Sequence, residues 1–156
     1  LVTDRNEIEK LIQLNLRASR KGKKSSAYIP ALHMIQIARK LAEIIGVESG
    51  LMVEILMEEA ELEYLNGHLA KSEEIGLAAL KLTDDIVIKA NICNLLITQF
   101  SARGMYDKAL ISINDALIPL GLSLPSEDLN RIITEEMKTV QEKTENKQIK
   151  SLVNLP

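Results

Sequence analysis

The chain has 156 residues, of which 46% are hydrophobic and 26% charged, which is enough apolar material for a packed core and too much for a disordered chain. A net charge of −3 and a low content of aromatic residues (three Tyr, one Phe, no Trp) argue against nucleic-acid binding, which favours basic surfaces and stacking rings. The single Cys93 excludes an internal disulfide and fits a reducing cytoplasm, and no apolar run approaches the roughly 20 residues that span a bilayer.

Nearly the whole chain has the apolar spacing of amphipathic helices. Asp4 can cap a first helix that Gly22 closes, and Ser25-Ser26 can start a second helix. Asp84 or Asp85 can cap the fifth helix. We predict helices over about 4–22, 26–45, 51–66, 69–82, 85–103, 106–118 and 126–143, followed by a short turn that contains Ile149, Leu152 and Val153.

Two segments match at a spacing of 37 residues, Gly67–Leu80 and Gly104–Leu117. Each has a Gly, a large apolar residue two positions later, and small residues five and twelve positions later. The small residues are Ser72 with Ala79 and Ala109 with Ala116, and Ala31 with Ala38 forms a partial third copy. Repeats of this length are typical of stacked helical hairpins.

The repeat predicts an all-α fold: a right-handed α-solenoid of about three helical hairpins with a C-terminal capping helix. The last predicted helix is rich in Glu, Lys and Gln, which suits a polar cap on the end of a stack. The whole of 1–156 is expected to be one repeat domain. Because it opens at Leu1 without Met and stops at Pro156, we expect it to be a segment of a longer protein.

The spacing of the small residues resembles the tetratricopeptide repeat. Ala60, Gly67, Leu69, Ser72 and Ala79 fit its pattern in one unit, and the next unit fits it again, although Ile97 stands where a small residue is usual. A narrower resemblance rests on the order of four segments, Leu16–Tyr28, Ala60–Gly67, Leu120–Pro125 and Ile149–Pro156. In this order the chain resembles the helical-repeat segment of large bacterial multidomain signalling proteins. Those proteins carry a serine/threonine kinase domain, a signal-transduction ATPase and a GAF sensor or histidine kinase.

This resemblance implies a binding groove, because the first helices of such hairpins line the concave surface. Carried onto this chain, the groove positions of the second and third hairpins are Glu54, Met57, Glu61, Tyr64, Asn91, Asn94, Thr98 and Ser101. The first hairpin would add Gln13, Arg20 and Lys23. A groove with basic, acidic and amide residues could hold an extended segment or a helix of another domain.

A basic cluster at the end of the first predicted helix is a possible docking patch for an acidic surface. Its members are Arg17, Arg20, Lys21, Lys23 and Lys24. The alternative is a solvated helix end. The Gly-Lys pair inside the cluster lacks the upstream Gly and the preceding strand of a phosphate-binding loop, so we expect no nucleotide there.

No catalytic, cofactor or metal site is expected. Glu54, Glu58 and Glu61 share one helix face, but neither His33 nor His68 follows a Glu by three residues, as a di-metal helical bundle requires. We therefore expect a solvated acidic face there, and Cys93 to be a packing residue.

The sequence thus predicts a non-catalytic interaction scaffold in a signalling ATPase or kinase, with the flanking domains or a protein segment as partner. Two alternatives stay open: a repeat of a transcription regulator that senses a small ligand, and a passive spacer or dimerisation segment.

Overall fold

The computed structural model describes residues 4–122, 124–125 and 128–144, and these residues form helices without any strand. The helices are α1 (Arg5–Lys24), α2 (Tyr28–Ile45), α3 (Ser49–Leu65), α4 (Leu69–Leu80), α5 (Ile86–Ala102), α6 (Tyr106–Leu117) and α7 (Leu129–Thr144), and a 3-10 turn (Ile118–Leu120) follows α6. The all-α class predicted from the sequence is confirmed. None of the described helices is both long and apolar enough to cross a membrane.

The helix ends follow local chemistry. The Asp4 carboxylate accepts a hydrogen bond from the Asn6 amide at the start of α1, and an amide donor left open at a helix start is stabilised by such a partner. Gly67 and Gly104, the repeat-equivalent glycines, have φ of 83° and 69° just after α3 and α5, a backbone conformation that favours glycine.

The prediction that Gly22 closes α1 is wrong. The helix continues to Lys24, and Gly22 lies in its last turn. A Cβ at this position would lie 2.9 Å from the Cβ of Ala31. The glycine therefore allows a close approach of two helices. The second helix accordingly begins at Tyr28, later than Ser25-Ser26.

The helices pack in adjacent pairs, α1 with α2, α3 with α4 and α5 with α6, and α2 contacts α3 as α4 contacts α5. Three hairpins in chain order are therefore present between Arg5 and Leu117. Their right-handed superhelical arrangement stays a prediction.

Helix α3 belongs to both hydrophobic clusters of the hairpins. Ile55 and Leu62 lie in the cluster with α1 and α2, and Val53, Leu56 and Ala60 lie in the cluster with α4, α5 and α6. This two-sided burial holds the first two hairpins together. The small ladder residues also lie at helix contacts: Ala31, Ala38, Ser72, Ala79 and Ala109 are buried.

The chain divides into two compact units, and the second, 123–156, contains α7. Described by itself, α7 has no buried residue, and Leu129, Ile133, Met137 and Val140 are each more than half exposed. The capping role expected for this helix stays a prediction. The predicted turn at Ile149, Leu152 and Val153 lies outside the described residues.

Candidate binding groove

A groove of about 440 Å³ lies between the first helices of the three hairpins. Helix α1 contributes one cation, α3 contributes three carboxylates and a thioether, and α5 contributes two amides, a hydroxyl and an aliphatic side chain. The lining residues are Arg20, Glu54, Met57, Glu58, Glu61, Asn91, Asn94, Leu95 and Thr98.

Six of the eight residues expected on the second and third hairpins line this groove. Tyr64 and Ser101, at the far ends of α3 and α5, do not line it. Gln13 lines a different hollow, with Arg5 and Leu51. The structure thus brings the middle of the expected surface together and leaves its ends outside the groove.

Sequence reasoning missed Glu58 and Leu95 as lining residues. Glu58 lies four residues after Glu54 and three before Glu61, and Leu95 lies four after Asn91 and three before Thr98. Residues three and four apart share a helix face, so this spacing was the signal for both.

Ion pairs join α1 to α3 along one wall of the groove. Arg20 Nη2 lies 2.7 Å from Glu54 Oε1, and Lys23 Nζ lies 2.8 Å from Glu58 Oε2 and 2.7 Å from Glu61 Oε2. Ser19 also approaches Glu58, at 3.5 Å between its Oγ and Oε1. The wall is therefore held by paired charges between hairpins.

The expectation of a solvated acidic face is wrong for Glu58, which is only 7% exposed. Its carboxylate is buried because α1 brings Lys23 and Arg20 against it, and burial of a carboxylate requires such partners. Partial burial alone would lower the pKa of Lys23, but its hydrogen bonds to Glu58 and Glu61 outweigh burial and raise that pKa above its ordinary value. Lys23 stays charged throughout the neutral range.

The same pairs divide the basic cluster into two parts. Arg20 and Lys23 are engaged with α3, whereas Arg17, Lys21 and Lys24 are exposed. These last three side chains form no ion pair with the described residues, so the surface of unpaired positive charge is smaller than the five-residue docking patch that the sequence suggested.

The opposite wall of the groove, on α5, carries uncharged polar groups. Asn91, Asn94 and Thr98 are exposed and share one side of the helix. The Thr98 hydroxyl donates to the Asn94 carbonyl at 2.9 Å. No side-chain hydrogen bond ties either Asn carboxamide to the described residues, so both can donate to and accept from a bound chain.

No group of three or more His, Cys, Asp or Glu among the described residues could hold a metal ion. The Cys93 side chain is buried, as expected for a packing residue, and burial, with a smaller contribution from Asp115, raises the pKa of its thiol. Such a thiol is a poor nucleophile because little thiolate is present.

A second set of charges joins the hairpins outside the groove. Arg39 of α2 lies 3.1 Å from the buried Glu59 of α3. Glu73 of α4 lies 3.1 Å from Arg103, just after α5, and 2.6 Å from Lys108 of α6. Each junction between successive hairpins therefore contains a shielded carboxylate with a cation from the neighbouring hairpin.

No protein-family model, curated protein or solved structure matches the chain. The assignment of a function therefore depends on the groove and on the resemblance described above.

Proposed function

We propose that the chain is a non-catalytic interaction scaffold, an α-solenoid whose groove between α1, α3 and α5 binds a protein segment. One observation carries this proposal: seven of the expected groove residues, Arg20 on α1 and six others on α3 and α5, line one groove. Scaffold function is also what stacked helical hairpins most often perform.

The groove chemistry favours an extended segment or a helix as the bound partner. Met57 and Leu95 provide apolar contact, while Asn91 and Asn94 offer donors and acceptors without a net charge. Glu54 and Glu61 keep part of their carboxylates exposed, at 45% and 44% of the side chain, and would repel an acidic terminus. The expected partner segment is therefore neutral to basic.

The resemblance to bacterial signalling proteins suggests where that segment belongs. We propose a flanking domain of the same polypeptide, such as an ATPase, a GAF sensor or a kinase, as the natural partner. A separate protein that presents a segment of the same chemistry would use the same contacts.

Replacing both groove amides tests the binding site. Random twelve-residue peptides displayed on phage are selected on the folded chain, and the affinity of the enriched peptides is measured by calorimetry. The double variant Asn91→Ala/Asn94→Ala should bind them at least about fivefold more weakly, because two hydrogen bonds each contribute about 0.5–1.5 kcal/mol.

Asn6→Ala is the matched control, since Asn6 is also exposed and lies about 21 Å along α1 from Arg20, at 1.5 Å per residue. It should leave peptide affinity unchanged. Equal affinities for the wild type and the double variant would contradict the proposed groove.

A further inference from the structure

Helix α7 has a continuous apolar side, although its overall composition is polar. Leu129, Ile133, Met137 and Val140 recur at spacings of four, four and three residues, so they share one face of the helix. Their exposed fractions are 53%, 53%, 68% and 58%. A continuous row of exposed large apolar side chains is typical of an interaction surface.

The charged residues of α7 sort into two sets. Away from the apolar side, Arg131 pairs with Asp128 and Glu135, and Lys138 lies 3.8 Å from Glu142. Glu136 and Lys143 differ, because each borders the apolar side and neither has an ion-pair partner among the described residues. They are seven residues apart and so lie on the same flank, one above the other.

We propose that α7 packs against α7 of a second copy of this chain in antiparallel orientation. The axis of such a pair passes between residues 138 and 139, which places Met137 of one copy against Val140 of the other and Ile133 against Thr144. In antiparallel helix pairs the same flank of each helix meets its counterpart. Glu136 of each copy then lies beside Lys143 of the other, and symmetry forms this pair twice.

Parallel packing does not provide this complementarity. In register, the Glu136 flank would face the opposite flank of the second helix, where Gln141 lies at the corresponding level. No ion pair would form there. The two unpaired charges bordering the apolar side thus select both the partner and its direction.

This role differs from the cap expected for the last helix. A polar helix suits the end of a stack, whereas an apolar side flanked by one Glu and one Lys suits self-association. The proposal does not depend on the groove or on its partner, so the two can fail separately.

Sedimentation equilibrium of the complete chain over a range of concentrations tests the proposal. We expect the mass to rise from the 17.4 kDa of one chain toward twice that value. Lys143→Glu should weaken dimerisation about tenfold, because two exposed attractive pairs become two repulsive ones. Glu136→Lys together with Lys143→Glu should restore it, since the exchanged charges again attract.

Lys138→Glu is the matched control, with the same change of charge on the opposite side of α7, and should dimerise like the wild type. A monomer at every concentration would overturn the proposal, and so would a dimer that Lys143→Glu leaves intact. A Lys143→Glu defect that the charge exchange does not repair would overturn the antiparallel arrangement. Circular dichroism verifies that each variant keeps its helices.

Discussion

Gly22 lies at a close contact between α1 and α2, and its missing side chain leaves room for this approach. Besides the Ala31 Cβ at 2.9 Å, the Ala27 carbonyl oxygen and the Ala31 Cα lie 3.4 Å from the position that a Cβ would occupy. A Cβ and a backbone cannot rotate away as the end of a long side chain can. The first hairpin therefore tolerates only glycine here without a backbone shift.

Gly22→Ala should lower the free energy of unfolding by about 1–2 kcal/mol, since overpacking outweighs the helix propensity that alanine adds. Gly50→Ala is the matched control, because Gly50 is exposed in the first turn of α3 and only the Glu48 carboxylate lies as near as 4.0 Å. It should raise the free energy of unfolding by about 0.5 kcal/mol. Urea titrations measure both, and a stabilising Gly22→Ala would contradict the close packing.

At the scale of the helices, the start of α5 depends on a single carboxylate. Asp85 Oδ1 accepts hydrogen bonds from the Val87 and Ile88 amides at 2.8 and 3.0 Å. The adjacent Asp84 is fully exposed, and Lys89 is its one ion-pair partner among the described residues. The sequence left both aspartates open as the cap, and the structure assigns the role to Asp85.

Asp85→Ala should cost about 1 kcal/mol of unfolding free energy because two amides of the first turn lose their acceptor. Asp84→Ala should change it by less than about 0.5 kcal/mol, as is usual for an exposed ion pair. Thermal unfolding of both variants beside the wild type tests the assignment. Equal losses of stability in the two variants would contradict the assignment of Asp85 as the cap of α5.

Helix positions could be predicted from the sequence because the signals are local: apolar spacing, caps such as Asp4 and the glycines after α3 and α5. Burial of Glu58 and Glu59 could not, because it depends on cations that the neighbouring hairpin supplies from 35 and 20 residues away. The repeat spacing predicted most of the residues that line the groove, but not Glu58 or Leu95. The apolar side of α7 was not predicted, because the expectation of a polar cap rested on the Glu, Lys and Gln content of the helix and not on the spacing of its apolar residues.

At the scale of the whole molecule, the hairpin junctions respond to pH in opposite ways. A hydrogen bond from Lys108 is the main cause that lowers the pKa of Glu73; partial burial opposes it, and Arg103 adds to the lowering. Burial raises the pKa of Glu59, the nearby Glu63 carboxylate raises it further, and Arg39 offsets this only in part. The junction of the first and second hairpins thus disfavours ionisation of Glu59, whereas the junction of the second and third favours ionisation of Glu73.

Replacing either carboxyl by the isosteric amide, in Glu73→Gln or Glu59→Gln, should therefore change the free energy of unfolding with opposite dependence on pH. Glu73→Gln should be less stable than the wild type at neutral pH. The deficit should shrink as the pH falls below about 4.3, where the unfolded wild type first protonates this carboxyl, and should vanish only below the lowered pKa of the folded state. Glu59→Gln should gain stability relative to the wild type as the pH rises above about 4.3, because the wild type must then ionise a buried carboxyl.

Urea unfolding of the three proteins at a series of pH values between about 3 and 7 measures these differences. Parallel pH profiles for the two variants would contradict the opposite roles of the junctions.

The buried Ser72 limits how the hairpins could be rearranged. Its Oγ lies 2.5 Å from the Ala60 carbonyl and 2.9 Å from the Gln99 carboxamide. A hydroxyl has one proton, which the Ala60 carbonyl and Gln99 Oε1 must share, and Gln99 Nε2 has no hydrogen-bond partner among the described residues. The second hairpin thus contacts its successor through a buried polar pair at this level, whereas the third has Ala109 in the place of Ser72. Duplicating or exchanging hairpins would break this match, so the units are similar in shape but are not interchangeable parts.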